Sequence, residues 1–323
     1  MSATYPLFSE HKEETIAAWG EVQLLGYIRE WLGDATPPAP HGMGDDTAVL
    51  PDDAGNVITT DSLVFGRHFT TALPPELAGE KLLKRNLSDI AAMGAKPTVA
   101  VLAGFFPANL RQDWLQRFTE GLGRCAVEWG TRIVGGDLAQ INAGWSANLT
   151  LLGHAARPVL RTGAGIGDWI FVTGQLGGSI VSWHARFTPR LKEGQWLAQQ
   201  PEIVSMIDLT DGIAKDLPAL MTPDQQALVN RSDLPLRLEA KEQEAGGSGK
   251  HAWQHALTDG EDYELLFTWR GDATELRERW PFTGTDLTCI GRIEERPSPD
   301  APLLLDPMDE LPLLKASGYE HFR

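Results

Sequence analysis

The sequence predicts a mixed α/β protein of the α+β type in two domains, and three observations carry that reading. At 323 residues the chain is long enough for two hydrophobic cores. Strand-like apolar runs and helix-like amphipathic stretches recur in both halves. A polar, glycine-rich stretch at 157–168, RPVLRTGAGIGD, separates the halves. The expected domains are 1–156 and 157–323.

Taken in order, residues 15–32 read as an amphipathic helix with Leu24, Leu25, Ile28 and Leu32 on one stripe, stopped by Pro37, Pro38 and Pro40. The stretch 42–68 reads as a hairpin: AVL and VIT are short strands, joined by the turn residues Pro51, Asp52, Asp53, Gly55 and Asn56. Asp45 and Asp46 open the first strand and Asp61 closes the second, so an antiparallel pairing gathers three carboxylates at one sheet edge. Crowded carboxylates call for a proton or a cation, and oxygen-only ligands favour Mg2+ or Ca2+. The same residues also serve as turn and cap residues, and this stretch alone does not separate the two readings.

Pro74 and Pro75 start a second helix with the stripe Leu83, Leu87 and Ile90, ended by Gly94 and Pro97. Asn86 and Asp89 share a face displaced from that stripe. TVAVLAGFF reads as a buried strand. Asn109 then caps a helix whose stripe runs through Trp114, Phe118, Cys125 and Trp129 to Gly130. A strand at 132–134 leads to Gly135, Gly136 and Asp137, where glycines allow close approach to a ligand or make an ordinary turn. WSANLTLLG is the next strand.

The second half restarts with the strand DWIFVTG and the loop GQLGGS. In IVSMIDLTDGIAKDL, Asp208 ends a strand, Thr210 caps a helix and Asp211 sits in its first turn, a pattern that suits either helix capping or a hydrated metal beside a phosphate. Residues 240–250 read as a loop. A helix to Leu257, the turn TDGED, the strand YELLFTW, a helix with Leu276 and Trp280, and the strand TCIGRIEE complete the elements.

Lysine plus arginine number 28 against 44 acidic residues, a net charge of −16. That balance repels polyanions and excludes nucleic acid or an anionic membrane as the main partner. Cys125 and Cys289 are far apart and read as small core residues of a reduced compartment. MSATYPLFSEHKEE has no apolar signal core and no run reaches membrane-spanning length, so a cytoplasmic location is expected. GGSGKHA lacks the spacing and the hydroxyl residue of a Walker A loop. No dinucleotide fingerprint, zinc-ligand pair or serine elbow is present. What recurs is aspartate at strand ends and on helices.

The ordered set GDDTAVL, TTDSLVFGRHF, NLSDIAAMGAKP, VGGD, RTGAGIGDWIFVTG, IDLTDG and DGEDYELLFT, with GYEHF near the C-terminus, resembles the thiamine-monophosphate kinase family of the aminoimidazole ribonucleotide synthetase-like superfamily. The resemblance implies an ATP-dependent phosphoryl transfer to thiamine monophosphate. It also implies a homodimer in which two N-terminal sheets join into a barrel, with active sites between the domains near the dimer interface. The first domain then binds metal and ATP and dimerises. By the family's motifs, Asp46, Thr59, Thr60, Asp61, Asp89, Asp137, Asp208 and Asp211 fall where several Mg2+ ions are held. Gly136, Arg161 and Thr210 fall where ATP is contacted, and His68, Glu261 and Tyr319 where the thiamine phosphate is held. No protein base is expected, and His68 is read as a binding residue whose charge helps seat the acceptor.

Three departures stand out. Thr210 replaces the family's serine, Asp259 adds a charge beside Glu261, and the segment after Ser179 is shorter than usual. The last two bear on the acceptor. The alternatives are a superfamily enzyme acting on another phosphorylated metabolite and a non-catalytic nucleotide-binding paralogue. A selenophosphate synthetase would need a reactive cysteine before Cys125, the hydrogenase-maturation relative a terminal cysteine, and an inert paralogue would have lost carboxylates.

Overall fold

The computed structural model describes residues 56–307 throughout, together with Glu13, Ala18, Gln23, Pro40, 47–49 and 311–313. The expected helix at 15–32, Asp45 and Asp46, and the tail with Tyr319 lie outside the described residues. The hairpin is present: β1 (Ala48–Val49) lies antiparallel to β2 (Asn56–Val64), with Val49 opposite Val57. β2 does not stop at Asp61. Its alternation continues to Val64, and β5 (Ser146–His154) pairs it along its whole length, so Asp61 lies within the strand opposite Leu149.

Pro75 starts α1 (Pro75–Ala92), and Gly94, at φ 64°, ends it in the left-handed conformation that glycine tolerates. Leu83, Leu87 and Ile90 are buried as their spacing predicts. Asn86 departs from expectation, because it too is fully buried and donates to the Leu82 carbonyl at 2.9 Å. TVAVLAGFF forms β3 (Lys96–Pro107), but only one face is buried, leaving Val101 and Phe105 exposed. α2 (Gln112–Glu128) has Arg111 at its N-cap position, so Asn109 does not cap it.

β4 (Arg132–Ile141) runs through both glycines and Asp137 instead of ending at Val134. It pairs in parallel with β3, and a Cβ on Gly136 would collide with the Leu102 carbonyl. The glycine therefore serves the close approach of two strands. The first sheet has the order β1-β2-β5-β3-β4, with β4 at an edge.

The second sheet has seven strands: β6 (Trp169–Thr173), β7 (Ile203–Asp208), β8 (Gln225–Val229), β9 (Leu265–Trp269), β10 (Leu287–Glu295), β11 (Leu304–Asp306) and β12 (Leu311–Pro312). Their order is β12-β11-β8-β10-β6-β9-β7, so the mixed α/β reading holds, with two sheets. The short strands β8, β11 and β12 add to those legible in the sequence. β9 begins at Leu265, not Tyr263. Half of the stretch expected as loop at 240–250 is instead helical, within Leu238–Ala245.

One apolar cluster joins the layers, with Val57 and Leu149 from the first sheet, Leu87 and Ile90 from α1, and Phe171 and Phe267 from the second. The alternate residues Ile170, Val172 and Leu266 pack a second cluster on the other face of the second sheet. The helix α1 lies between the sheets, and it organises the site.

Candidate active site

Lys81, Arg85 and Asp89 recur every four residues on α1 and so share one face. Two of them reach β2 and one the turn before β9. Lys81 pairs with Glu261 at 2.9 Å, Arg85 with Asp61 on β2 at 3.2 Å, and Asp89 accepts from Thr59 on β2 at 2.5 Å. The neighbouring Ser88 donates to Asp208, at the end of β7, at 2.5 Å.

Glu261 is presented by a turn of unusual backbone. Gly260, Glu261 and Tyr263 have φ of 70°, 53° and 51°, and two of these are non-glycine residues in the left-handed region. Such conformations persist where the surroundings fix them. Here the Glu261 and Tyr263 N–H groups donate to the carbonyls of Thr210 and Leu209 at 2.7 and 2.8 Å. The turn before β9 and the loop after β7 are thereby stitched together.

That loop corrects the expected capping. The following short helix, Ile213–Asp216, has Gly212 at its N-cap position, so Thr210 and Asp211 precede it. The N–H groups of Thr210, Asp211 and Gly212 all donate to one oxygen of Asp216, at 3.0, 3.0 and 3.1 Å. Burial, with the Asp211 charge beside it, pushes the Asp216 carboxyl up to about 8. The Asp211 side chain pairs with Lys215 at 2.6 Å.

A cavity of about 260 Å³ results, lined by Asp61, His68, Asp89, Thr210, Asp211 and Glu261, with Arg67, Arg85, Ile180, Asp259 and Tyr263. A second, of about 480 Å³, adjoins it and shares Arg67, His68, Ile180 and Glu261. It is walled by the segment after Ser179, which folds as two 3-10 turns, Ser179–Val181 and Trp183–Ala185. Burial alone would raise the Glu261 carboxyl, but His184, Lys81 and Arg85 hold it down at about 2. Burial lowers the Lys81 ammonium despite its Glu261 partner. Burial would also lower Arg85, but Asp61 and its anionic neighbours outweigh it, so that guanidinium stays charged. His68 Nδ1 accepts the Val64 N–H at 3.0 Å, which leaves its donor hydrogen on Nε2.

Six of the sequence-selected residues therefore line one cavity, with Thr59 and Asp208 bonded to α1 directly behind it. Thr60 is on the opposite face of β2, bonded to Asn148 and Thr150. Gly136 and Asp137 lie on the exposed edge strand β4, and Arg161 lies by Asp216; none of these lines the cavity. Asp46 and Tyr319 are outside the described residues. Sequence reading missed Lys81 and Arg85, although their four-residue spacing from Asp89 was a usable signal. It also missed Asp216, for which the sequence offered none.

The donor set is all oxygen and suits a hard cation. Among the described residues, no three carboxylate, imidazole or thiol groups converge as a ready cage.

Residues 44–155 match the family described as AIR synthase related protein, N-terminal domain. A thiamine-monophosphate kinase of Rhodopirellula baltica is 34% identical over 289 residues, spanning 85% of this chain and 90% of the relative. One from Escherichia coli is 31% identical over 334 residues, spanning 94% and 99%. A solved structure described as AaThiL complexed with AMPPCP and TMP superposes with a TM-score of 0.80 at 28% identity, covering 95% of this chain and 98% of that one.

Proposed function

The chain belongs to the thiamine-monophosphate kinase family, and from that premise we propose that it phosphorylates thiamine monophosphate to the diphosphate with ATP by direct transfer. One observation carries the reading: the acceptor-side residues His68 and Glu261 and the carboxylates Asp61, Asp89 and Asp211 open into one cavity.

An alcohol acceptor would need a base beside it. A phosphate acceptor offers an oxygen that is already anionic, its second pKa near ~6. The obstacle is repulsion between the two phosphates. Asp61, Asp89, Asp208 and Asp211, with Asp46 and with Thr59 behind Asp89, would hold Mg2+, which supplies charge that offsets this repulsion. Arg67, exposed and lining both cavities, is placed to bind acceptor phosphate oxygens. His68 donates through Nε2, and Thr210 and Arg161 contact the nucleotide.

Gly136 and Asp137 belong to the same site on this reading, and their edge strand brings it close to a second subunit. Val134 and Leu138 on that strand are 61% and 71% exposed, which supports a homodimer with the two N-terminal sheets joined into a barrel. We divide the chain into domains at 156/157. We also place the protein in the cytoplasm; among the described residues no helix is long and apolar enough to cross a membrane. The test is ADP release with Mg2+ and thiamine monophosphate, set against other phosphorylated metabolites. Turnover confined to a different acceptor would replace this function.

A further inference from the structure

Lys81 is fully buried in the middle of α1, and its ammonium has three hydrogens to place. Three partners stand within reach: the His68 carbonyl at 2.9 Å, His184 Nδ1 at 2.7 Å and Glu261 Oε2 at 2.9 Å. His184 Nδ1 also lies 3.3 Å from Glu261 Oε2, so the imidazole touches both members of the ion pair. The three partners come from separate pieces of chain, namely the loop after β2, the 3-10 turns and the turn before β9. All three residues wall the 480 Å³ cavity, while Lys81 lines neither cavity and cannot touch a bound molecule. The other Glu261 oxygen faces the Tyr263 hydroxyl at 3.4 Å and Arg85 at 3.9 Å, so both oxygens are fixed. A buried ammonium is expensive, and a packed apolar side chain would serve stability as well.

We propose that Lys81 is a positioning residue for the phosphate acceptor, and that His184 is the contact through which it holds the 179–186 segment to the pocket. This rests on the acceptor site proposed above. The segment is the part of the chain that departs most in length from the family pattern. Its grip on Lys81 therefore makes acceptor recognition in this protein depend on a histidine outside the shared motifs.

Steady-state kinetics of Lys81→Met with Mg2+, ATP and thiamine monophosphate test this. KM for thiamine monophosphate should rise about ten- to a hundredfold, the weight of charge-assisted bonds to a buried carboxylate. KM for ATP should stay within about twofold, the scatter expected for a site that keeps all its contacts. His184→Ala should shift the same constant by less, and the double variant should fall short of the product of the single effects. A lysine that only supports the fold would lower Tm and leave acceptor KM unchanged, which overturns the proposal, as do equal rises in both KM values. Should Lys81→Met fail to fold, His184→Ala decides in the same terms. Wild-type protein that does not turn over thiamine monophosphate removes both the proposed function and this inference; an active wild type with unmoved variants removes only the inference.

Discussion

Asp216 reaches back along the chain to Thr210, accepting its backbone N–H at 3.0 Å through the same oxygen that holds Asp211 and Gly212. The loop that carries the proposed nucleotide contact is thus shaped from beneath by a buried carboxyl, which lines neither of the two cavities. Asp216→Ala would strand three N–H groups and should cost about 3 kcal/mol of stability. It should also raise KM for ATP as the loop loosens. Asp216→Asn keeps an acceptor oxygen and should cost less. Calorimetric melting beside ATP kinetics checks both, and equal losses in the two variants would discard the hydrogen-bond explanation.

Glu261 gives the acid limb of stability. Its carboxyl ordinarily titrates at 4.5 and is held at about 2 in the fold, so the folded state binds its proton less readily than the unfolded chain. The resulting stability is fully present above pH 4.5 and is lost as pH falls from there towards 2. The difference corresponds to about 3 kcal/mol. Urea denaturation between pH 6 and 2 should show that decline in the wild type and a flatter one in Glu261→Gln. Parallel curves would remove Glu261 as the source.

Asp89 should act through metal. Asp89→Asn should lower kcat by at least about a hundredfold, the scale of metal-assisted charge stabilisation. The fold should survive, because the amide can still accept from Thr59. Without Mg2+ its melting temperature should hold or rise, since one of several crowded carboxylates is gone. A Mg2+ titration of kcat is the measurement, and a variant as active as the wild type at limiting Mg2+ takes Asp89 out of the ligand set.

The exposed apolar residues of β4 should be covered in solution. Light scattering should give a dimer for the wild type and monomer for Leu138→Asp, because a carboxylate cannot be buried at an apolar contact without a partner. A wild type that is monomeric at micromolar concentration would set the barrel aside.

What the sequence disclosed depended on the range over which each feature is determined. The hairpin pairing, α1 and the strands around Phe171 and Phe267 are written in local periodicity, and each is present, although β9 starts two residues later than its pattern. The end of β2 and the course of β4 are fixed by pairing with β5 and β3, partners distant in sequence, so turn residues such as Gly135 and Gly136 misled. Thr210 looked like a cap because hydroxyl residues often are; the cap went to Gly212 because Asp216, not Thr210, satisfies the N–H groups there. The hydrogen-bond role of the His68 Nδ1 could not be read at all, since it depends on the backbone N–H of Val64.

The glycine contacts between α1 and α2 carry a mechanical consequence. A Cβ on Gly79 would strike the Phe118 carbonyl and one on Gly121 the Glu76 carbonyl, so the two backbones touch without side chains between them. A helix clamped in this way resists sliding and rolling. Its residues 81, 85 and 89 are then marks on a fixed ruler, spaced about 6 Å apart along the axis. Adjustment to different acceptors must come from the opposing loops, and a methyl group added at Gly79, which lines neither cavity, would shift all three marks together and degrade acceptor and metal binding in a single stroke.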